Sequence, residues 1–390
     1  MHIVHLITRL LRAGSEENTV ETIRWQLDAG HEVTLIHGSE TDPYWDINLP
    51  ERLARIVVPD LVHPIDSKRD FRAIRWLRDI YKTLLPNVIH THQSKAGLVG
   101  RLAADAVPGA LIVHGVHILP FEGVSPLRRA IYLAAERLAA RRTDAFVGVS
   151  QAVSDAYLEA GLAHPDQMYC VRSGMALDRF RRAQLPSDWR VLSGADAAGR
   201  RPPVALMMAA FEPRKRHVPF LRAFARVSDR LPQMRLLLAG QGPEENRVRG
   251  EVQRLGLEKN VVFCGHRADA EALFALADVS VLTSVREGLP RVVVQSIAAG
   301  CPVLAQALPG LDEILAHDHN GLILPADDMG AVAHRLVDVL EDTAWRTRLA
   351  RGARRTDVSD WDLARLGSGT ERCYRAALGQ QALSLHAEVA

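Results

Sequence analysis

Thr283-Ser284-Val285-Arg286-Glu287-Gly288-Leu289-Pro290-Arg291-Val292-Val293-Val294-Gln295-Ser296-Ile297-Ala298-Ala299-Gly300-Cys301-Pro302-Val303 reads as the end of a strand, a turn, a helix, a second turn and a new strand. The apolar run before it stops at Thr283, and Gly288-Leu289-Pro290 makes a turn whose proline suits the first position of a helix. The helical stretch closes at Gly300-Cys301-Pro302, and Val303 opens the next apolar run. A strand, a crossover helix and a strand in this order call for parallel pairing. Gln295 falls eight residues after Glu287, about two helical turns on, so a carboxylate and an amide are expected along one helical line, facing one ligand. A glutamate kept at a helix start for its interaction with the dipole would give the same pattern.

The same alternation extends in both directions. Short runs rich in Val, Ile and Leu predict strands at Ile3–Ile7, Glu32–His37, Val88–Thr91, Ala110–His114, Ala145–Val149 and Met168–Val171. A second set is predicted at Val204–Ala209, Arg235–Ala239, Val261–Cys264, Val279–Thr283, Val303–Ala305 and Gly321–Leu324. Stretches of helical period separate them, so the fold class is α/β with two layered domains. Residues 181–203, RRAQLPSDWRVLSGADAAGRRPP, are dense in Gly, Pro, Ala and charge without apolar period and read as a linker. The expected division is therefore 1–180, a linker at 181–203, 204–359, and a terminal helical stretch at 360–390 free to pack on either domain.

Length agrees, because single cores stop growing near about 250–300 residues and the chain has 390. Forty-eight basic residues against forty-six acidic ones leave a formal charge of +2, too balanced for a protein built around a nucleic-acid backbone. Cys170, Cys264, Cys301 and Cys373 are widely spaced and form no C-x-x-C pair, which reads as buried thiols in a reducing compartment and no zinc site. The opening MHIVHLITRL lacks the pattern of a secretory signal, and no apolar run is long enough to span a bilayer. The expected location is the cytoplasm.

In a parallel sheet, ligands sit at the carboxyl ends of strands, where turns and helix N-termini aim N–H groups at anions. Arg12-Ala13-Gly14-Ser15-Glu16 follows the first strand but lacks the G-x-G-x-x-G spacing of a dinucleotide site. Gly240-Gln241-Gly242-Pro243 follows a strand too and is either a tight turn or a close approach to a phosphate; the P-loop pattern is absent. Phe211-Glu212-Pro213-Arg214-Lys215-Arg216-His217 gathers three cations at a strand end, as a solvated charge run or as a seat for a diphosphate. Asp269-Ala270-Glu271 has the look of a metal-binding pair of carboxylates, but its place at a helix start favours capping.

In this order the turns resemble the family 4 retaining glycosyltransferases: Ala13-Gly14-Ser15-Glu16, Gly30-His31-Glu32, His90-Thr91-His92-Gln93-Ser94-Lys95-Ala96-Gly97, His114-Gly115, Val149-Ser150, Gly174, Lys215, Gly240-Gln241-Gly242-Pro243, Gly265, Glu287-Gly288-Leu289-Pro290 and Ala299-Gly300-Cys301-Pro302-Val303. The resemblance implies the GT-B fold, two facing Rossmann-like domains, and retaining transfer of a sugar from a nucleotide donor, with UDP placed ahead of GDP. The acceptor would be a saccharide or lipid-linked saccharide of envelope, exopolysaccharide or lipopolysaccharide synthesis. Lys215 and Arg214 would hold the donor diphosphate. Glu287 with the amides of Gly288 and Leu289 would hold sugar and phosphates, and Gly14, Gly242, Gly265 and Gln295 would complete the donor site. His114 would face the donor sugar and act with Glu287 in catalysis; a core histidine is the other reading, and His117 is its rival. No metal or cofactor is expected, since cations and helix N-termini assist the leaving diphosphate.

Two positions depart from the family pattern. Gln295 stands where a second glutamate is usual, at a cost of about 1 kcal/mol of charge-assisted bonding, and Ala210 stands where an arginine is usual, with Arg214 or Arg216 as substitutes. These departures keep two alternatives open, a GT-B sugar-nucleotide epimerase and a nucleotide-binding pseudoenzyme. On the acceptor side, Lys68–Lys82 sets Phe71, Ile74 and Leu77 at helical spacing with Arg69, Arg72 and Arg75 on other faces, as an ordinary surface helix or as a peripheral contact with an anionic inner membrane.

Overall fold

A computed structural model describes the backbone of residues 1–389 and the side chains of residues 1–380; Ala390, the end of the expected terminal stretch, lies outside the described residues. Seven parallel strands form the first sheet: β1 (His2–Ile7), β2 (Glu32–His37), β3 (Ala54–Val57), β4 (Val88–His92), β5 (Leu111–Val116), β6 (Ala145–Gly148) and β7 (Met168–Cys170). Six form the second: β8 (Val204–Met208), β9 (Arg235–Ala239), β10 (Val261–Gly265), β11 (Val279–Leu282), β12 (Val303–Gln306) and β13 (Gly321–Leu324). The orders are 3-2-1-4-5-6-7 and 10-9-8-11-12-13. Each sheet reverses its winding once, between β1 and β4 and between β8 and β11. Such a reversal parts the two following loops and opens a crevice at the carboxyl ends of the strands.

The strands read as continuous apolar runs because helices cover both faces. On one face of the first sheet, Val4, Leu6, Ile89 and Ile112 pack with Leu77 and Tyr81 of the helix Ser67–Leu84 and with Ala96, Val99 and Ala103 of the helix Ser94–Ala103. On the other, Ile3, Val88, Leu111, Val113, Ala145 and Val147 pack with Leu366, Cys373, Tyr374 and Ala377 of the helix Leu363–Val389. Each such aliphatic side chain contributes about 1.5–3 kcal/mol on leaving water. Burial pushes the Cys373 and Cys301 thiols up to about 12, as inert core groups.

The chain divides into Met1–Met175 with Asp360–Ala390, and Ala176–Ser359. Residues 181–203 are therefore not a linker. Phe180 and Leu192 lie in the core of the second unit with Leu206, Leu237 and Phe274, and Arg201 holds Asp278 through two bonds of 2.6 and 3.1 Å. Two apolar anchors too far apart to show a period tether a segment that composition alone marks as loose. β3 was missed for the opposite reason: Ala54-Arg55-Ile56-Val57 is an edge strand, largely exposed, with too little apolar content to stand out. Among the described residues no helix is long and apolar enough to cross a membrane.

The helix Ser67–Leu84 buries Ala73, Leu77 and Tyr81, whereas Phe71 and Trp76 are 62% and 55% exposed. Phe71 thus lies off the buried line on which spacing placed it. Arg72 pairs with Asp60 at 2.8 Å.

Candidate functional site

The second reversal point brings together the segments that follow β8 and β11. After β8 the chain makes a single 3-10 turn, Pro213–Lys215, and Arg216 takes a left-handed φ of 59° to enter the helix His217–Phe224. That conformation is strained for a residue with a Cβ. It is held from two sides. The Arg216 guanidinium pairs with Asp327, and the backbone is pinned by Thr283 Oγ1 donating to the Lys215 carbonyl (2.7 Å) and Val285 N–H donating to the Arg214 carbonyl (3.0 Å).

This pinning delivers Arg214 and Lys215 to one carboxylate. Arg214 Nη1 lies 3.0 Å from Glu287 Oε2, Lys215 Nζ pairs with Oε1, and Arg214 Nε bonds Glu212 at 2.7 Å. The Glu287 side chain is 11% exposed. Burial alone would raise its carboxyl, but the Lys215 and Arg214 charges outweigh it and hold the group below the usual carboxylate range. With Glu212 and Glu287 against Arg214 and Lys215 the cluster is formally neutral, but both cations converge on one buried carboxylate, where an anionic ligand could share their N–H donors.

The turn between β9 and the helix Glu245–Arg254 closes against the same region. A Cβ on Gly242 would lie 2.6 Å from the Phe211 carbonyl oxygen and 2.7 Å from its nitrogen, so only glycine fits. Gly240 N–H donates to the Gly265 carbonyl at 2.8 Å, joining this turn to the end of β10. Phe211 packs on the His217 ring at 4.6 Å, and burial, followed by the Lys215 charge, pushes His217 down to about 4. Sequence reasoning passed over the bracing roles of Glu212, Thr283 and Asp327, because they depend on contacts between segments far apart in the chain.

Three expectations change and one open choice closes. The helix begins at Arg291, with Pro290 as its N-cap residue, so Glu287 lies in the preceding loop and is placed by its ion pairs, not by helical spacing from Gln295. Gln295 sits half-buried in the second turn of that helix. Of the two substitutes for the arginine missing at Ala210, Arg214 reaches Glu287 and Arg216 turns away to Asp327. Asp269 does not cap its helix: Arg267 bonds both of its oxygens at 2.8 Å, and Glu271 pairs with Arg179. Finally, β5 runs on to Val116, which sets His114 inside the sheet and His117 at its carboxyl edge. A glycine at 115 read as a strand end, yet it pairs with His92 in the ladder.

In the first unit, Gly14 opens the helix Gly14–Asp28, whose first turn holds the buried Glu16 against Ser15 and against Gln93 Nε2 at 3.0 Å. His114 is buried beneath Gly97, with Nδ1 3.0 Å from Thr91 Oγ1, and burial, then the Arg101 charge, drives it well below 6.5. His117 is half-buried. Gly288 and Leu289 are buried directly after Glu287.

Two family models divide the chain. Residues 12–179 match the one described as Glycosyltransferase Family 4, and residues 195–356 match Glycosyl transferases group 1. A relative from Escherichia coli, UDP-Gal:alpha-D-GlcNAc-diphosphoundecaprenol alpha-1,3-galactosyltransferase, is 23% identical over 87% of this chain and 88% of its own. Among solved structures, the sucrose-phosphate synthase of Thermosynechococcus elongatus superposes with a TM-score of 0.80 at 21% identity, covering 97% of this chain and all of the other. Anabaena HepE, crystallised with UDP and glucose, gives a TM-score of 0.78 at 21% identity over 95% and 98% of the two chains.

Proposed function

The chain belongs to the family 4 glycosyltransferases of GT-B fold, and on that premise we propose that it moves a sugar, with retention and without a metal, from a UDP-linked donor to a saccharide or lipid-linked acceptor of envelope polysaccharide synthesis. The observation that carries this reading is the carboxylate of Glu287 held between Arg214 and Lys215 at the reversal point of the second sheet. In a transfer from a nucleotide-sugar, negative charge grows on the departing diphosphate. Two cations on the segment after β8, fixed by the carboxylate after β11, stabilise it without reorganisation. Glu287 keeps both cations in place and offers acceptor oxygens to sugar hydroxyls. In this reading the departing phosphate takes the acceptor proton on the same face that the sugar leaves, and Gly242 and Gly265 let backbone approach the nucleotide. The UDP donor of the E. coli relative and the UDP bound in HepE support UDP ahead of GDP in this reading.

Calorimetric titration with UDP and with GDP in excess chelator tests the donor site. UDP is expected to bind with a Kd of roughly micromolar order, about −8 kcal/mol, and GDP more weakly. Silence with both nucleotides would overturn the reading, and binding that returns only with magnesium would overturn its metal independence.

The surface of the first unit supports a peripheral membrane location in this reading. Exposed Phe71 and Trp76 beside Arg69 and Arg75 suit an anionic bilayer surface, and we place the enzyme on the cytoplasmic face of the inner membrane. Changing Arg69, Arg72 and Arg75 together to Gln should weaken sedimentation with phosphatidylglycerol vesicles at least tenfold, at about 1 kcal/mol per cation. Unchanged sedimentation removes the membrane contact.

A further inference from the structure

The first sheet also reverses its winding, between β1 and β4, and a run of histidines lies there. Alternation along the strands sends His5, His90 and His92 to the face covered by the helices Gly14–Asp28 and Leu363–Val389, and sends His114 to the opposite face. Gly115 faces the same way as His92. A Cβ on it would lie 2.7 Å from His92 Nδ1, 3.1 Å from His90 Nε2 and 3.3 Å from His117 Nε2, so the missing side chain is what lets the rings converge.

Their hydrogen bonds can be followed atom by atom. His5 Nε2 is 2.8 Å from the carbonyl oxygen of Gln26, His5 Nδ1 is 2.9 Å from His92 Nε2, and His92 Nδ1 is 2.9 Å from His117 Nε2. Gln26 Nε2 donates to the Tyr374 hydroxyl at 3.3 Å, which lies 2.7 Å from His90 Nδ1. Burial drives His5 to about 4 and His92 well below 6.5, so both rings are neutral at pH 7, each with one proton. The direction of every bond then follows from Gln26. Its carbonyl only accepts, so His5 donates from Nε2 and accepts at Nδ1. His92 must donate from Nε2 and accept at Nδ1, and His117 must donate from Nε2.

We propose that His92, backed by His5 and Gln26, is a positioning residue for glycosyl transfer: by accepting the Nε2 proton of His117 it holds that ring, at the carboxyl edge of β5, in one orientation. The proposal rests on the transferase reading above and deepens its acceptor side. A ring held in one orientation meets a sugar hydroxyl with a hydrogen bond at a defined point, while the departing phosphate takes the acceptor proton. A ring able to rotate or to exchange tautomers would spend part of its time turned away from it. His5, His90 and His92 each also place one nitrogen within 4.8 Å of the others, a spacing that would admit a cation. The N···N contacts of 2.9 Å favour a shared proton instead, since both nitrogens of His5 and of His92 are already engaged.

Two measurements test this. Long-range proton–nitrogen correlation on the full-length protein labelled at histidine nitrogen should show His5, His92 and His117 each as the Nε2–H tautomer at pH 7. A His117 proton on Nδ1, or averaged tautomers, overturns the proposal without any variant. In the kinetic arm, His92→Leu should lower kcat about ten- to a hundred-fold with donor KM within about twofold, and His92→Gln should restore most of the loss because its amide oxygen accepts from His117. Equal losses in Leu and Gln variants overturn the positioning role. A d–d absorption band on adding cobalt(II), abolished in His90→Ala, overturns it in favour of a cation site. Correct tautomers in a protein that transfers no sugar would leave the network standing and bring down the transferase reading alone.

Discussion

Glu287→Ala is expected to lower kcat/KM by about 10²- to 10³-fold, the range found when one preorganised charge-stabilising group is removed. The loss has two sources. The carboxylate goes, and Arg214 and Lys215 lose the shared partner that aims them. Glu287→Gln should recover part of the rate, because the amide still bonds one cation. The stability readout differs in sign with pH. Glu287 is held below the usual carboxylate range, so its contribution is fully present above about pH 5 and fades as pH falls through its folded value. Wild type should therefore unfold at a higher denaturant midpoint than Glu287→Gln at pH 7, with the difference closing in acid. Mass spectrometry of the working enzyme should find no sugar on Glu287. A sugar adduct there would replace the front-side reaction by a double displacement, and full activity in the Ala variant would remove Glu287 from the site.

The second large effect concerns stability. Arg101 is fully buried on the helix Ser94–Ala103, and its guanidinium is satisfied by Glu136 at 2.7 Å, the Gly97 carbonyl at 2.7 Å and Thr143 Oγ1 at 3.4 Å. Glu136 is 4% exposed. Arg101→Met strands that carboxylate in the interior and should cost about 3–5 kcal/mol, or on the order of 10 °C in Tm for a unit of this size. Removing both charges, as Arg101→Met with Glu136→Leu, should recover most of the loss, because a buried ion pair is weak compared with good packing and is costly mainly when half is deleted. A single variant as stable as wild type would mean that water reaches Glu136.

The layered order of both sheets was legible because parallel strands buried on two faces leave unmistakable apolar runs, as at Val204–Met208 or Leu111–Val116. Lys215, Arg214 and Glu287 stood out because strand ends in such sheets are where ligands bind. What stayed hidden depends on contacts between distant segments. The burial of Leu192 and the grip of Arg201 on Asp278 turn an apparent linker into part of the second unit. The Glu287 loop is set by ion pairs rather than by helical period. The histidines of β1 and β4 were visible as residues, but only their pairing, His5 opposite His90 and His92 opposite Gly115, shows that they meet.

The return of the last helix to the first sheet has a consequence for biosynthesis. Tyr374, Cys373 and Ala377 complete a core that begins with Ile3 and Val88, while the second unit holds all of its own core between Ala176 and Ser359. On the ribosome the order of emergence and the order of completion therefore run opposite ways. The middle of the chain has everything it needs to fold while the beginning still waits, with part of one face of its sheet uncovered, for the final helix to be made. Early residues of this protein are thus the ones that spend longest in need of a chaperone.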